Sequence, residues 1–453
     1  MMRSMFSGVS GLRAHQTKMD VIGNNVANVN TLGFKSGRVT FQEVFNQTLR
    51  GAGAPDAALG RGGTNPMQIG LGTGVGAIDT MMTRGSSQRT DNPTDLSIEG
   101  EGFFIVKGSN TDSFKFTRAG NFGLDKLGNL VSGSGMNVYG WMKYTPQTDG
   151  SVKFDTEAEI KPINLYTDED NGNKRVIAAK ATENALFAGN LDSGLAVDTT
   201  ADAVQFTVPF TVYDSLGNAH ELAVNFTKTK TNPGEPTQDP PVLSTTEWSY
   251  TITAKNGKGT YDAGGSSTIK FDSNGKLVTS DDTMPPEIKL TVDPDGTAND
   301  SGIDPFDINL NFKSMTMFAA DCSVKPTNVD GYSTGNLVTF NIGSDGMLTG
   351  IYSNGQQQPL GLVALASFSN PAGLQKVGDN LFITSTNSGE FTKGVQVGSE
   401  GVGTLSPGTL EMSNVDLSRE FTDMIVTQRG FQANSRIITT SDEMLQELVN
   451  LKR

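Results

Sequence analysis

At 453 residues the chain is long enough for more than one domain, and 35 basic against 49 acidic residues leave a net charge of −14. That acidic balance lacks the positive footprint that phosphate backbones and anionic lipid demand, so nucleic acid and membrane are excluded as partners. A single cysteine, Cys322, excludes an internal disulfide framework, and 53 glycines point to many turns and short strands.

The opening segment, MMRSMFSGVSGLRAHQTKMD, has no uninterrupted apolar core and no small-residue cleavage site. No stretch approaches the ~18 apolar residues that span a bilayer. Two readings follow, a cytoplasmic protein or export by a route that needs no cleaved signal. Met5, Leu12, Met19 and Val26 fall at strict seven-residue spacing, with Ile22 and Val29 as a second row. This pattern predicts an amphipathic helix. It closes on NNVANVNTLGFK (24–35), where Asn24, Asn25, Asn28 and Asn30 crowd ahead of Gly33 and Phe34. Asparagine is poor inside a helix because its amide competes for nearby backbone groups, yet it tolerates helix ends. The amides are read as a helix stop and, where subunits meet, as hydrogen-bonding groups for a neighbour.

RGAGAPDAALGRGGTNP (50–66) is too rich in Gly and Ala for a core and reads as a linker or extended arm. GLGTGVGA (70–77) formally contains G-x-G-x-x-A, but IDTMMTRGS follows where a nucleotide fingerprint needs a helix. It reads as a strand with a close backbone approach. Beyond it, LDKLGNLV (124–131), FDSNGKLV (271–278) and GSDGMLTGIYSNGQ (343–356) set apolar residues around Asp, Asn and Gly, as hairpins do. VQFTVPFTVYDSLGNAHELAVNF (204–226) predicts two strands across an SLGN turn, and TNPGEPTQDPP (231–241) an exposed loop. The middle is therefore β-rich, in more than one sandwich or barrel-like unit.

Catalytic chemistry finds no assembly of groups. His15 sits in the helical pattern and His220 on the hairpin, neither near a nucleophile motif. The acidic stretches DEDNGN (168–173) and DPDGTANDSGID (293–304) lack the ligand order of a calcium loop and read as solvated. Cys322 reads as a small buried hydrophobe. No catalytic, cofactor-binding or metal-ligating residue is assigned.

At the far end Leu417, Met424, Phe431, Ile438 and Leu445 repeat the seven-residue spacing, flanked by Phe421, Ile425 and Leu448. A sustained heptad is a coiled-coil seam rather than a surface stripe; the bland alternative is two helices docked on a globular core. Two helices sharing one seam bury little surface for the residues they order, so they call for more partners, which copies of the same chain would supply.

Several stretches also agree in order with a known family. NNVANVNTLGFK resembles the N-terminal signature of bacterial flagellar axial proteins, which build rod and hook. MIVTQRGFQANSRIITTSDEMLQELVNL (424–451) resembles their C-terminal signature. GEGFFIVKG (100–108), FTRAGNFGLDKLGNLV (116–131) and GTLEMSNVDLSREFTDMI (408–425) are similar too. The long stretch between YGWMKYTP and NVDGYSTGNL, with VYDSLGNAHEL and EWSYTI inside it, resembles the outer domain of the hook member rather than the shorter distal rod member.

The resemblance implies an α+β multidomain chain whose terminal helices pair as a coiled-coil-like inner domain, with nested β-rich inner and outer domains. Its expected parts are the N-terminal helix 1–30, a connecting segment 31–71, inner β domain 72–145 and 334–405, an inserted outer domain 146–333, and the C-terminal segment and helix 406–453. It implies a structural subunit of the flagellar hook, with no enzyme activity and no cofactor. The subunit would leave through the type III export apparatus and polymerise outside the cell into a curved tube that carries motor torque to the filament. The alternatives are another axial component, such as a rod protein with a large insert, and a secreted β-rich enzyme or adhesin. Implied partners are copies of the chain, the distal rod, and the hook cap, hook-length control and hook–filament junction proteins. Inter-subunit helix packing falls to Met5, Leu12, Met19, Ile22, Val26, Leu417, Phe421, Met424, Phe431, Ile438 and Leu445. Asn24, Asn25, Asn28, Asn30, Gly33 and Phe34 form the helix exit. Spirochaete members carry a cysteine in the stretch matching ENALFAGNLD (183–192) that crosslinks to a neighbour's lysine; Ala188 and Gly189 stand there in this chain.

Denaturing electrophoresis of the assembled protein without reductant should therefore release monomer. A high-mass ladder that disappears in Cys322→Ala would contradict this.

Overall fold

The apolar heptads at the two ends fold as α1 (Met2–Ala27) and α2 (Leu417–Asn450) in the computed structural model. It describes residues 2–451 except 56–59, 61, 110–111, 147–151, 169–171, 201–202, 234–243, 255–259, 264–267, 279–287, 294–304 and 400. Half of the acidic stretch 168–173, and most of 293–304 and of the Pro-rich 231–241, lies outside the described residues.

Asp416 starts α2, its carboxylate accepting the N–H groups of Ser418 and Arg419, with Glu420 in the positive first turn. The helices run antiparallel. Ser4 meets Ser441 through their hydroxyls at 3.5 Å, Lys18 meets Asp423 at 3.6 Å, and Asn25 donates to Glu420 at 3.2 Å. Between those points Gly11 abuts the Asn434 amide and Gly430 the His15 ring. The face that α2 turns inward steps by four and three residues through Met424, Thr427, Phe431, Asn434, Ile438, Ser441 and Leu445, each half-buried or buried. Alternate members of that seam are polar, so its apolar content is thin.

The stretch expected as a connecting segment at 31–71 contributes paired strands. Gly37–Glu43 pairs antiparallel with Thr73–Thr80, and Asn46–Arg50 with Met67–Gly70, giving two-stranded ribbons. Val39, Thr40, Phe41, Ile69, Val75 and Ile78 supply the β-formers. Strand 73–80 therefore belongs with the ribbon rather than with a β domain starting at 72. The close approach read at GLGTGVGA is present: a Cβ on Gly72 would lie 2.1 Å from Ser10 Oγ, which accepts the Thr73 N–H at 3.3 Å.

The chain divides into two compact units. The first comprises Met1–Lys174, Phe340–Gly350 and Gln358–Arg453. Two separated stretches of sequence build its sheet, in which Gln357–Ala366, Asn137–Trp141, Phe103–Lys107, Lys115–Thr117, Leu381–Ile383 and Gln375–Gly378 lie side by side. Phe103, Phe116, Trp141, Leu362, Phe368 and Phe382 fill its core, with edge-to-face ring pairs at 4.8 to 5.9 Å. The second unit comprises Arg175–Thr339 and Ile351–Gln357, not 146–333 as expected. Residues 152–165 stay with the first unit because Phe154 and Ile160 bury in its core.

In the second unit a five-stranded and a four-stranded sheet share one core of Phe187, Phe210, Phe226, Trp248, Tyr250 and Phe312. The hairpin expected at 204–226 is Phe206–Tyr213 against Ala219–Asn232. Buried Asp214 holds its turn, accepting the N–H groups of Leu216 and Asn218 at 2.9 Å and meeting His220 Nε2 at 3.0 Å. Those hydrogen bonds hold the Asp214 carboxyl below its ordinary pKa against the burial that raises it. His220 is thus a turn partner. Cys322 is half-buried rather than buried, because its sulfur lies at the edge of this core, where it accepts the Asp192 N–H at 3.3 Å.

Candidate assembly surface

The crowded asparagines have separate duties. Asn24 and Asn25 lie in the last turn of α1, so the helix continues past the point where the amides begin. Asn25 is 1% exposed and clasps the backbone of Gly37, donating to its carbonyl and accepting its N–H, both at 2.9 Å. It thereby fixes the angle at which the ribbon leaves α1. Asn28 donates back to the Asn24 carbonyl at 2.9 Å and accepts from Thr31 Oγ1 at 3.1 Å, a local stop. Asn30 is exposed. Gly33 turns with φ +64°, where a Cβ would lie 2.7 Å from the Ala119 nitrogen, and donates its N–H to the Glu411 carbonyl at 2.8 Å. Phe34 is buried under Lys376, whose ammonium stands 4.9 Å from the ring centroid.

The group that organises this exit is one the sequence patterns did not single out. Lys35 and Glu411 are each 1% exposed, and Lys35 Nζ donates to Glu411 Oε1 at 2.7 Å and to the Thr83 carbonyl at 2.8 Å. Arg118, 2% exposed, reaches Glu411 Oε2 at 3.4 Å from its place over the Phe103 ring. The Gly85 N–H also donates to Glu411 Oε1, at 3.0 Å. Burial pulls the Lys35 ammonium below its ordinary pKa, and the Glu411 carboxylate pulls the other way. Asn414 adds backbone contacts, accepting the Ser36 N–H and donating to Met81 O, both at 2.8 Å. Lys35, Arg118 and Glu411 were signalled all the same, each inside a stretch quoted above: NNVANVNTLGFK, FTRAGNF and GTLEMSNV.

Of the residues assigned to helix packing, Ile22 is buried in the chain itself. Met5, Leu12, Met19, Val26, Met424, Phe431, Ile438 and Leu445 are half-buried. Leu417 and Phe421 face outward, 39% and 49% exposed. Phe6, Ile425, Val426, Met444, Leu448 and Leu451 expose still more. The ribbon does the same with Val44, Phe45, Leu49 and Met67. Apolar surface on this scale marks sites of protein contact. His15 stands where α1, α2 and the ribbon meet, its ring 5.5 Å edge-on to Phe41. Burial, with Lys18 nearby, lowers its pKa. Burial likewise raises that of Glu420, against the hydrogen bond from Asn25. Among the described residues no cluster of His, Cys, Asp and Glu could hold a metal ion.

Known proteins are similar to this chain over its full length. Flagellar hook protein FlgE of Borreliella burgdorferi is 41% identical over 474 residues, covering 100% of both chains. The chain belongs to the flagellar hook protein family. Flagellar hook protein FlgE of Salmonella typhimurium is 35% identical over 457 residues, 99% of this chain and 100% of its own. Flagellar basal-body rod protein FlgG of Bacillus subtilis is 30% identical over 453 residues, 100% of both. Family models match in four places. The flagella basal body rod protein model covers residues 5–35 and the flagellar hook protein FlgE/F/G D1 domain residues 97–168. The flagellar basal body protein FlaE D2 domain covers residues 190–332, and the flagellar basal body rod FlgEFG protein C-terminal model residues 406–451. The helix exit and Lys35 fall in the first of these, and Glu411 in the last.

Removing one partner of a buried ion pair strands the other charge, at a cost of ~3–5 kcal/mol. Glu411→Gln should lower stability in chemical denaturation by that order. Glu157→Gln, which removes only an exposed contact with Lys393, should change it by less than ~1 kcal/mol. Equal small losses in both variants would contradict the role given to Glu411.

Proposed function

We propose that this chain is the structural subunit of the bacterial flagellar hook, assembling with copies of itself into a curved, flexible tube outside the cell. The tube transmits motor torque to the filament. Full-length identity to proteins named flagellar hook protein carries this reading, at 41% and 35%. The full-length relative named as a rod protein stands at 30% and supports the second reading, an axial component of the rod.

The terminal helices act as a coiled-coil-like inner domain whose residual apolar surface is covered by neighbouring copies. The half-burial of Met5, Leu12, Met19, Val26, Met424, Phe431, Ile438 and Leu445 supports that role, as does the exposure of Leu417 and Phe421. Export proceeds through the flagellar type III apparatus. The remaining partners are the distal rod and the hook cap, hook-length control and hook–filament junction proteins. No step of this function calls for a catalytic group or a cofactor.

Purified protein brought to assembling conditions should form tubes with hook curvature in negative stain. Phe431→Asp sets a carboxylate into the helix seam, where it has no partner. It should give a soluble chain with wild-type β circular dichroism that forms no tubes. Normal tubes from Phe431→Asp, or straight rods from the wild type, would contradict the proposal.

A further inference from the structure

Each terminal helix carries a second charged row on the side facing away from its partner. On α1, Phe6, Arg13 and Asp20 repeat every seven residues. They stand two positions before Gly8, His15 and Ile22 of the seam, about 200° around the helix. On α2, Arg436 and Glu443 stand two positions after Asn434 and Ser441, again on the far side. All four charged side chains are exposed, and among the described residues none has an ion pair within the chain. The row on α1 borders a groove of about 460 Å³ lined by Phe6, Val9, Arg13, Ala14 and Val75. Phe6 is 67% exposed there.

The two rows are complementary in one direction only. Arg13 and Asp20 are seven apart, as are Arg436 and Glu443. Laid antiparallel, Arg13 meets Glu443 and Asp20 meets Arg436. Laid parallel, the same spacing would set Arg13 on Arg436 and Asp20 on Glu443. Since α1 and α2 are antiparallel within one chain, α1 of one copy is also antiparallel to α2 of any copy pointing the same way. Within a single chain these faces cannot meet, because the seam lies between them. We propose that α1 of one copy docks on α2 of a second copy through these outer faces, pairing Arg13 with Glu443 and Asp20 with Arg436. The contact rests on the reading that the chain assembles with itself, and it names the surfaces by which it does so. Such charge pairs set register and exclude wrong partners more than they add affinity.

The test is a charge swap in the full-length chain, read as the critical concentration for assembly by sedimentation. Arg13→Glu and Glu443→Arg, made singly, each oppose like charges and should raise the critical concentration ~10-fold or more, a change of 1.4 kcal/mol. The double variant restores an opposite pair and should return to within about threefold of wild type. Arg and Glu have nearly equal helix propensity, so the loss in Glu443→Arg would not come from a weaker helix. Circular dichroism checks that each variant keeps wild-type helix content. Single variants that assemble as wild type, or a double variant no better than either single one, would overturn the contact. A wild-type chain that forms no polymer would overturn the assembly reading itself, and this contact with it.

Discussion

One carboxylate holds the two ends of the chain to the β core between them. Glu411 receives Lys35 from just beyond α1, Arg118 from the first unit's β region and the Gly85 backbone, while its own carbonyl takes the Gly33 N–H. A buried pair of this kind adds little net stability compared with an apolar substitute of the same shape. Its force lies in the penalty for any arrangement that leaves one member alone. Lys35 and Glu411 are 376 residues apart in sequence, so satisfying both charges forces the ends together. The Asn25 clasp on Gly37 then sets how the ribbon departs from α1.

Past that joint the interactions change character. The seam between α1 and α2 relies on glycine close to Asn434 and His15, on hydroxyls at Ser4 and Ser441, and on a half-buried ion pair between Lys18 and Asp423. Contacts of this kind orient two helices but contribute little to holding them. The large apolar side chains, Phe6, Phe421, Ile425 and Leu448 among them, point elsewhere. A chain that spends its strongest interactions on the joint and leaves its helices half-covered is organised for a polymer.

Much of this was legible in sequence. The heptads at Met5 and Leu417 located both helices, and the DSLGN turn located the hairpin at 206–232, because short-range periodicity and turn chemistry are local properties. The two ribbons within 37–80 were hidden because the Gly/Ala-rich sequence between their strands dominates local composition. The start of the second unit was set too early, since nothing local tells that Phe154 and Ile160 turn back into the first core. The ion cluster was the least visible. Lys35, Arg118 and Glu411 each look like ordinary surface residues until long-range pairing brings them together, although all three sit within stretches already noted for their family resemblance.

Hydrogen exchange at the amides of α1 and α2, followed in verified monomer and in the assembled tube, tests most directly whether the helices depend on other copies. The account predicts rapid exchange across both helices in the monomer and strong protection in the tube. Strands 103–107 and 137–141 should be equally protected in the two states. Full protection of α1 and α2 already in the monomer would show that the seam within one chain suffices, and would contradict the account.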